Sequence, residues 1–138
     1  MGSKILVAED EPYILESLNF LLRRDGHEVI SVTDGGSVME MVEKTAPDLL
    51  ILDVMLPTIN GFDVVRKIRG HSVQSTLPIL TLTAKGQESD RKKMLEIGAN
   101  DFVTKPFSNQ DLLGRVQTLL NAARGSTSST SQSSLENE

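Results

Sequence analysis

Short apolar, β-branched runs alternate along the chain with longer stretches in which apolar residues recur every three to four positions. The runs fall at Lys4–Ala8, Glu28–Val32, Asp48–Leu52, Leu77–Leu82 and Asp101–Thr104, and their length and β-branched content predict strands. After Pro12, the residues Ile14, Leu15, Leu18, Leu21 and Leu22 keep helical spacing as far as Gly26, which predicts a helix over 12–24. Further helices are predicted near 36–45 and 61–70. Another ends with Met94, Leu95 and Ile97 ahead of Gly98, and Ser108 with Asp111 three residues on opens the last one as a capping box does. The runs "LLILD" and "LPILTL" are apolar on both faces, as strands covered by helices on both sides must be. Five strand–helix alternations joined by right-handed crossovers give a doubly wound α/β fold around a parallel sheet.

Composition narrows what such a fold can do. The 138 residues are 38% hydrophobic, enough for one domain with a true core and too few for two ordinary ones. No window approaches the length of apolar chain that a membrane span needs, and no basic segment precedes a long apolar one at the start, so a cytoplasmic protein without membrane contact is expected. With no cysteine, disulfides, thiolate metal sites and cysteine nucleophiles are excluded. The net charge of −5 argues against a nucleic-acid surface. His27 and His71 lack ligand-like spacing and are expected in loops or at the surface. Residues 1–3 read as an expression remnant or an N-terminal extension, residues 4–123 as the domain, and the Ser/Thr-rich residues 124–138 as a disordered tail or linker.

In open parallel sheets, ligands bind beyond the carboxyl ends of the strands. Strand 1 ends in Glu9 and Asp10, strand 3 in Asp53, strand 4 in Thr83 and strand 5 in Lys105. Thr33 and Asp34 end strand 2. Carboxylates from neighbouring strand ends repel by about 4 kcal/mol per pair at roughly 4 Å and an effective dielectric near 20, so a cation is expected among them. An all-oxygen cluster suits a hard ion, Mg²⁺ foremost and Mn²⁺ as a substitute. Lys105 and Thr83 add two groups that recognise anions. That inventory fits phosphoryl transfer to Asp53, with the metal bridging carboxylate and phosphoryl oxygens and the small Ala84 leaving room for the incoming group.

Each residue alone has a plainer role. An Asp at a strand end is most often a turn former, Thr83 can cap a helix, Lys105 can sit in solvent, and Glu11 suits a helix N-terminus. Only their conjunction at one edge of the sheet points to chemistry. GxxxxGKS/T and GxGxxG are both absent, which leaves nucleotide binding by those routes unsupported.

"ILVAEDEP", "LLILDVMLPTINGFDVVRKIR", "ILTLTAKG" and "GANDFVTKPF" resemble, in order and spacing, the receiver domains of bacterial two-component response regulators, over about residues 4–122. The resemblance implies a flavodoxin-like five-stranded sheet in the order 2-1-3-4-5, and a signalling phosphoacceptor rather than an enzyme. It implies Asp53 as the acceptor, Asp10 as a direct Mg²⁺ ligand, Glu9 as a more peripheral one, and the backbone carbonyl of Met55 as a third. Lys105 binds the phosphoryl group, Thr83 moves toward it, Phe102 occupies the position that often holds a switch tyrosine, and Pro106 follows a cis peptide bond. Met55 and Lys85, two residues past Asp53 and Thr83, flank the path of the attacking water, and a Met there implies slow self-dephosphorylation.

The expected donor is a histidine kinase, a phosphotransfer protein or a small phosphodonor. The segment "DRKKMLEIGANDFVTKPFSNQDLLGRV" is most similar to receivers attached to winged-helix transcription factors. That likeness implies a homodimer on phosphorylation through the face carrying Arg91, Glu96, Asp101, Asp111 and Arg115. Two alternatives stand beside this reading. A haloacid-dehalogenase-like phosphatase also uses an aspartyl phosphate but needs an Asp where Met55 stands. A receiver-fold interaction module independent of phosphate needs none of the five polar residues.

Overall fold

The computed structural model describes residues 2–71, 74–84 and 86–128. Its elements in chain order are β1 (Lys4–Ala8), α1 (Pro12–Arg24), β2 (Glu28–Val32), a short 3-10 turn (Gly35–Ser37), α2 (Val38–Thr45), β3 (Leu49–Asp53), α3 (Gly61–Arg69), β4 (Ile79–Ala84), α4 (Glu88–Ile97), β5 (Asp101–Lys105) and α5 (Asn109–Ser128). The strands form one parallel sheet in the order β2-β1-β3-β4-β5. The fold is therefore the doubly wound flavodoxin-like α/β arrangement.

Alternation along the strands divides the core into two layers. Leu6, Leu50, Leu52 and Ile79 face α2, α3 and α4, where Val42, Val64, Ile68 and Met94 complete one cluster. Ile5, Val7, Leu49, Ile51 and Leu82 face α1 and α5, where Leu18, Leu22, Leu112 and Val116 complete the other. Each of these side chains, fully buried, contributes on the order of 1.5–3 kcal/mol of transfer free energy. Every residue of β3 is buried, so its sequence shows no polar alternation.

Local signals account for most boundaries. Pro12 opens α1 with its fixed φ, and Asn60 accepts a hydrogen bond from the Asp63 amide to cap α3. Ser108 Oγ accepts from the Asp111 amide at 3.0 Å and caps α5. The helix expected near 36–45 divides, because Asp34 caps the 3-10 turn through the Ser37 amide before α2 begins. β3, β4 and β5 each run one or two residues further toward the carboxyl edge than their apolar runs. Backbone pairing there continues through polar residues, since a ladder needs no apolar side chain. α5 is helical through Ser128, inside the segment that composition assigns to the tail, and residues 129–138 lie outside the described residues.

One histidine departs from expectation. His27 is buried, and its Nδ1 accepts the Ser3 amide at 3.0 Å, so it serves as an internal tie between the start of β1 and the loop before β2. His71 reaches Glu43 on α2 at 2.9 Å. Among the described residues no helix is long and apolar enough to cross a membrane.

Candidate functional site

The polar residues gather at the carboxyl edge of β1, β3, β4 and β5. Glu9 follows β1 and stays in the ladder through its amide bond to the Val32 carbonyl at 3.1 Å. Its side chain is fully buried, with Oε2 accepting from the Glu11 amide at 2.9 Å. Asp10, the next residue, turns to the exposed mouth of the site. Asp53 ends β3 almost wholly buried, and its Oδ1 accepts from the Met55 amide at 3.2 Å. Glu9, Asp10 and Asp53 each place one carboxylate oxygen within 4.8 Å of the others.

Gly61 holds the loop after Asp53 close to the sheet. A Cβ there would meet the Asp53 carbonyl oxygen at 2.9 Å and the Val54 Cα at 2.8 Å, so the start of α3 lies against the strand end with no room for a side chain. The Gly61 amide donates to the Val54 carbonyl at 2.9 Å. The loop that carries Met55 is thereby fixed at both ends. Met55 itself is 72% exposed.

Lys105, at the end of β5, reaches across the edge. Its Nζ lies 3.2 Å from Glu9 Oε1 and 3.2 Å from Asp53 Oδ2. Burial works against the charged ammonium, but Asp53 and Glu9 outweigh it and hold the Lys105 pKa above its ordinary value. Burial also pushes the Glu9 carboxyl above its ordinary range; the Glu11 amide opposes that rise, Asp53 adds to it and Lys105 offsets part. Glu9 Oε1 is buried, accepts no hydrogen bond among the described residues, and has the Lys105 ammonium at 3.2 Å. An unsatisfied buried carboxylate oxygen is costly unless something positive completes it.

Three carboxylates face one ammonium, which leaves two negative charges uncompensated, and every donor is oxygen. Donor chemistry and charge both fit a hard divalent cation.

Thr83 is buried, and its hydroxyl donates to the Val103 carbonyl of β5 at 3.5 Å, away from the carboxylates. Ala84 pairs in register with Lys105 and is exposed. Asp53, Ala84 and Lys105 line a cleft of about 450 Å³ together with Val54, Met55, Leu82, Gln87 and Asp90. Gln87 and Asp90 carry no signal in the sequence, where an acid in a helix's first turn has an ordinary explanation. A second hollow, about 430 Å³ and largely apolar, lies beside it between Tyr13, Ile14, Pro106 and Phe107. The Lys105–Pro106 peptide bond is cis. Lys85 lies outside the described residues.

Phe102 is half-buried between two guanidinium groups, Arg91 at 5.3 Å and Arg115 at 5.8 Å from its ring centre. Arg91 also donates to Thr104 Oγ1 at 3.2 Å. Arg115 reaches both Asp101 oxygens, at 2.8 and 3.0 Å, and Asp111 at 2.9 Å. Four of the five residues expected on the output face are thus tied together within one chain by ion pairs or through Phe102. Glu96 is exposed on α4.

Comparison with known proteins agrees with this geometry. A family profile for the response regulator receiver domain matches residues 5–117. The chain is 42% identical over 120 residues to the alkaline phosphatase synthesis transcriptional regulatory protein PhoP of Bacillus subtilis, covering 87% of this chain and 49% of that protein. It therefore spans about half the length of this curated relative. Among solved structures, the receiver domain of the sensor histidine kinase PA1611 from Pseudomonas aeruginosa, with a magnesium ion coordinated in its active-site cleft, is 31% identical with a TM-score of 0.81, covering 88% of this chain and 99% of that one. The chemotaxis response regulator CheY4 of Vibrio cholerae is 28% identical with a TM-score of 0.81, covering 86% and 99% respectively.

Proposed function

The chain belongs to the response regulator receiver family, the phosphoacceptor switches of two-component systems, and on that premise we propose that Asp53 accepts the phosphoryl group. The observation that carries this assignment is the set of three carboxylates within 4.8 Å beside the Lys105 ammonium. In this reading Glu9, Asp10, Asp53 and the Met55 backbone carbonyl would hold Mg²⁺, or Mn²⁺ in its place. When bound, such an ion would supply positive charge that stabilises the charge of the transferring phosphoryl group.

The chain's own residues do the rest. An Asp53 oxygen attacks phosphorus and the bond to the donor's leaving group breaks. Lys105, already within 3.2 Å of Asp53, moves its charge onto a phosphoryl oxygen. The Thr83 hydroxyl leaves the Val103 carbonyl for another, and Phe102 shifts as β5 is released. No polar atom of the Met55 side chain can orient an attacking water, which supports a long-lived phosphoryl group.

Residues 4–123 act as the receiver unit in this reading, with 124–138 as tail or linker. The donor is a histidine kinase, a phosphotransfer protein or a small phosphodonor in the cytoplasm. Output runs through α4, β5 and α5, where release of Arg91 and Arg115 from their internal partners frees charges for a second copy. With Mg²⁺ and a small phosphodonor, intact mass should rise by one phosphoryl group, and the gain should vanish in Asp53→Ala or on chelating the metal. Absence of any adduct, including a beryllofluoride complex, would favour the interaction-module reading.

A further inference from the structure

Asp90 sits at the third position of α4, half-buried, on the wall of the cleft that also exposes Asp53 and Lys105. Among the described residues it has no hydrogen bond or ion pair, although the neighbouring acid Glu88 is paired with Arg91 at 3.6 Å. A helix N-terminus attracts anions through its amides and dipole, but Glu88 and Asp90 in the first turn oppose that attraction with two negative charges. Asp90 shares the lining of this one cleft of about 450 Å³ with Asp53 and Lys105, and charges in a part-buried cleft are screened less by salt than exposed ones. A phosphodonor entering the cleft therefore meets the charge of Asp90 weakened, but not cancelled, at physiological ionic strength.

We propose that Asp90 sets the donor preference of this site: its unpaired carboxylate disfavours small, highly charged acyl phosphates entering the cleft and leaves less charged phosphoramidates comparatively favoured. The inference rests on the reading of Asp53 as phosphoacceptor and adds the charge class of its substrate. With acetyl phosphate, an Asp53 oxygen forms a bond to phosphorus as the acyl-oxygen–phosphorus bond breaks and acetate leaves with the electron pair. With phosphoramidate, the phosphorus–nitrogen bond breaks and ammonia leaves with the protons it already carries. At neutral pH the first donor is a dianion and the second, as a zwitterion, a net monoanion. Repulsion from Asp90 therefore weighs more heavily on acetyl phosphate.

The experiment measures initial rates of adduct formation by intact mass, in Mg²⁺, for wild type, Asp90→Asn and Glu88→Gln, with each donor at low and high salt. Glu88→Gln removes the same charge from the same turn but not from the cleft wall. Asp90→Asn should raise the acetyl phosphate rate on the order of 3- to 10-fold and the phosphoramidate rate by less, with the gap closing at high salt. Equal gains for both donors, no gain, or the same gain in Glu88→Gln would each overturn the role of Asp90. If wild type forms no adduct, or the adduct survives Asp53→Ala, the acceptor assignment falls first and the proposal falls with it.

Discussion

Arg69 and Gly98 are in contact so close that a Cβ on Gly98 would meet the Arg69 Cγ at 2.8 Å, while Arg69 Nε donates to the Gly98 carbonyl at 2.9 Å. The same guanidinium donates to the carbonyls of Ser75 and Leu77 and to the Asn100 side chain. One side chain thus ties the end of α3, the end of α4 and the entry to β4. Burial lowers its pKa from the ordinary arginine value, yet the fork stays charged throughout the physiological range. Arg69→Lys keeps the charge but cannot reach four acceptors, and should cost about 2–3 kcal/mol in urea unfolding. Gly98→Ala, at φ +126°, should cost a comparable amount.

Glu9→Gln separates stability from function. The folded-state pKa of Glu9 lies above its ordinary value of 4.5, so its stabilising form is the protonated one. That contribution is complete below about pH 4.5 and is lost as pH rises through the folded-state pKa. Glutamine keeps the acceptor near Lys105 without the buried charge. The melting temperature of the metal-free protein at pH 7 should rise by about 3–5 °C, the effect of roughly 1 kcal/mol in a domain of this size. Mg²⁺ affinity, followed by titration, should fall.

Met55→Asn places an amide where an exposed thioether stood. On the proposal that Met55 leaves the attacking water without a partner, the substitution should shorten the phosphoryl lifetime several-fold. Quenching the donor and following the mass of the adduct over time would show an unchanged decay if the side chain is irrelevant.

Thr58 is β-branched and held at φ +73° in the loop after Asp53. Asparagine tolerates that conformation, so Thr58→Asn should stabilise the domain by about 0.5–1 kcal/mol. Equilibrium denaturation would reveal it as a shifted midpoint with an unchanged slope.

Gly114 lies on the exposed face of α5 with nothing within 4 Å of where a Cβ would stand. Alanine there should add about 0.5–1 kcal/mol of helix stability to the monomer. If a second copy packs on this face, the same methyl group should weaken the phosphorylated dimer in light scattering. A gain in both would place the dimer contact elsewhere.

The order of elements and both core layers are legible from spacing alone, because apolar periodicity is what the two layers select. Asp10, Asp53, Thr83 and Lys105 stand out for a related reason: each ends an apolar run, and the parallel topology brings those ends to one edge. The contacts of Arg69 are not legible, since its four partners are main-chain or amide groups from segments 6 to 31 residues away. The burial of His27 is hidden likewise, as its partner is the amide of Ser3. Asp90 looks like any acid at a helix start until the cleft is seen. The roles proposed for the Met55 carbonyl and for Phe102 rest on family resemblance, because neither a carbonyl nor a phenyl ring announces a task in composition.

The hydroxyl of Thr83 rests on the carbonyl of Val103, and Val103 is the immediate neighbour of Phe102. Interior chemistry and exterior surface are therefore separated by a single peptide unit of β5. A substitution on the outer side of that strand can change what the surface offers without altering the carboxylates beside its inner end.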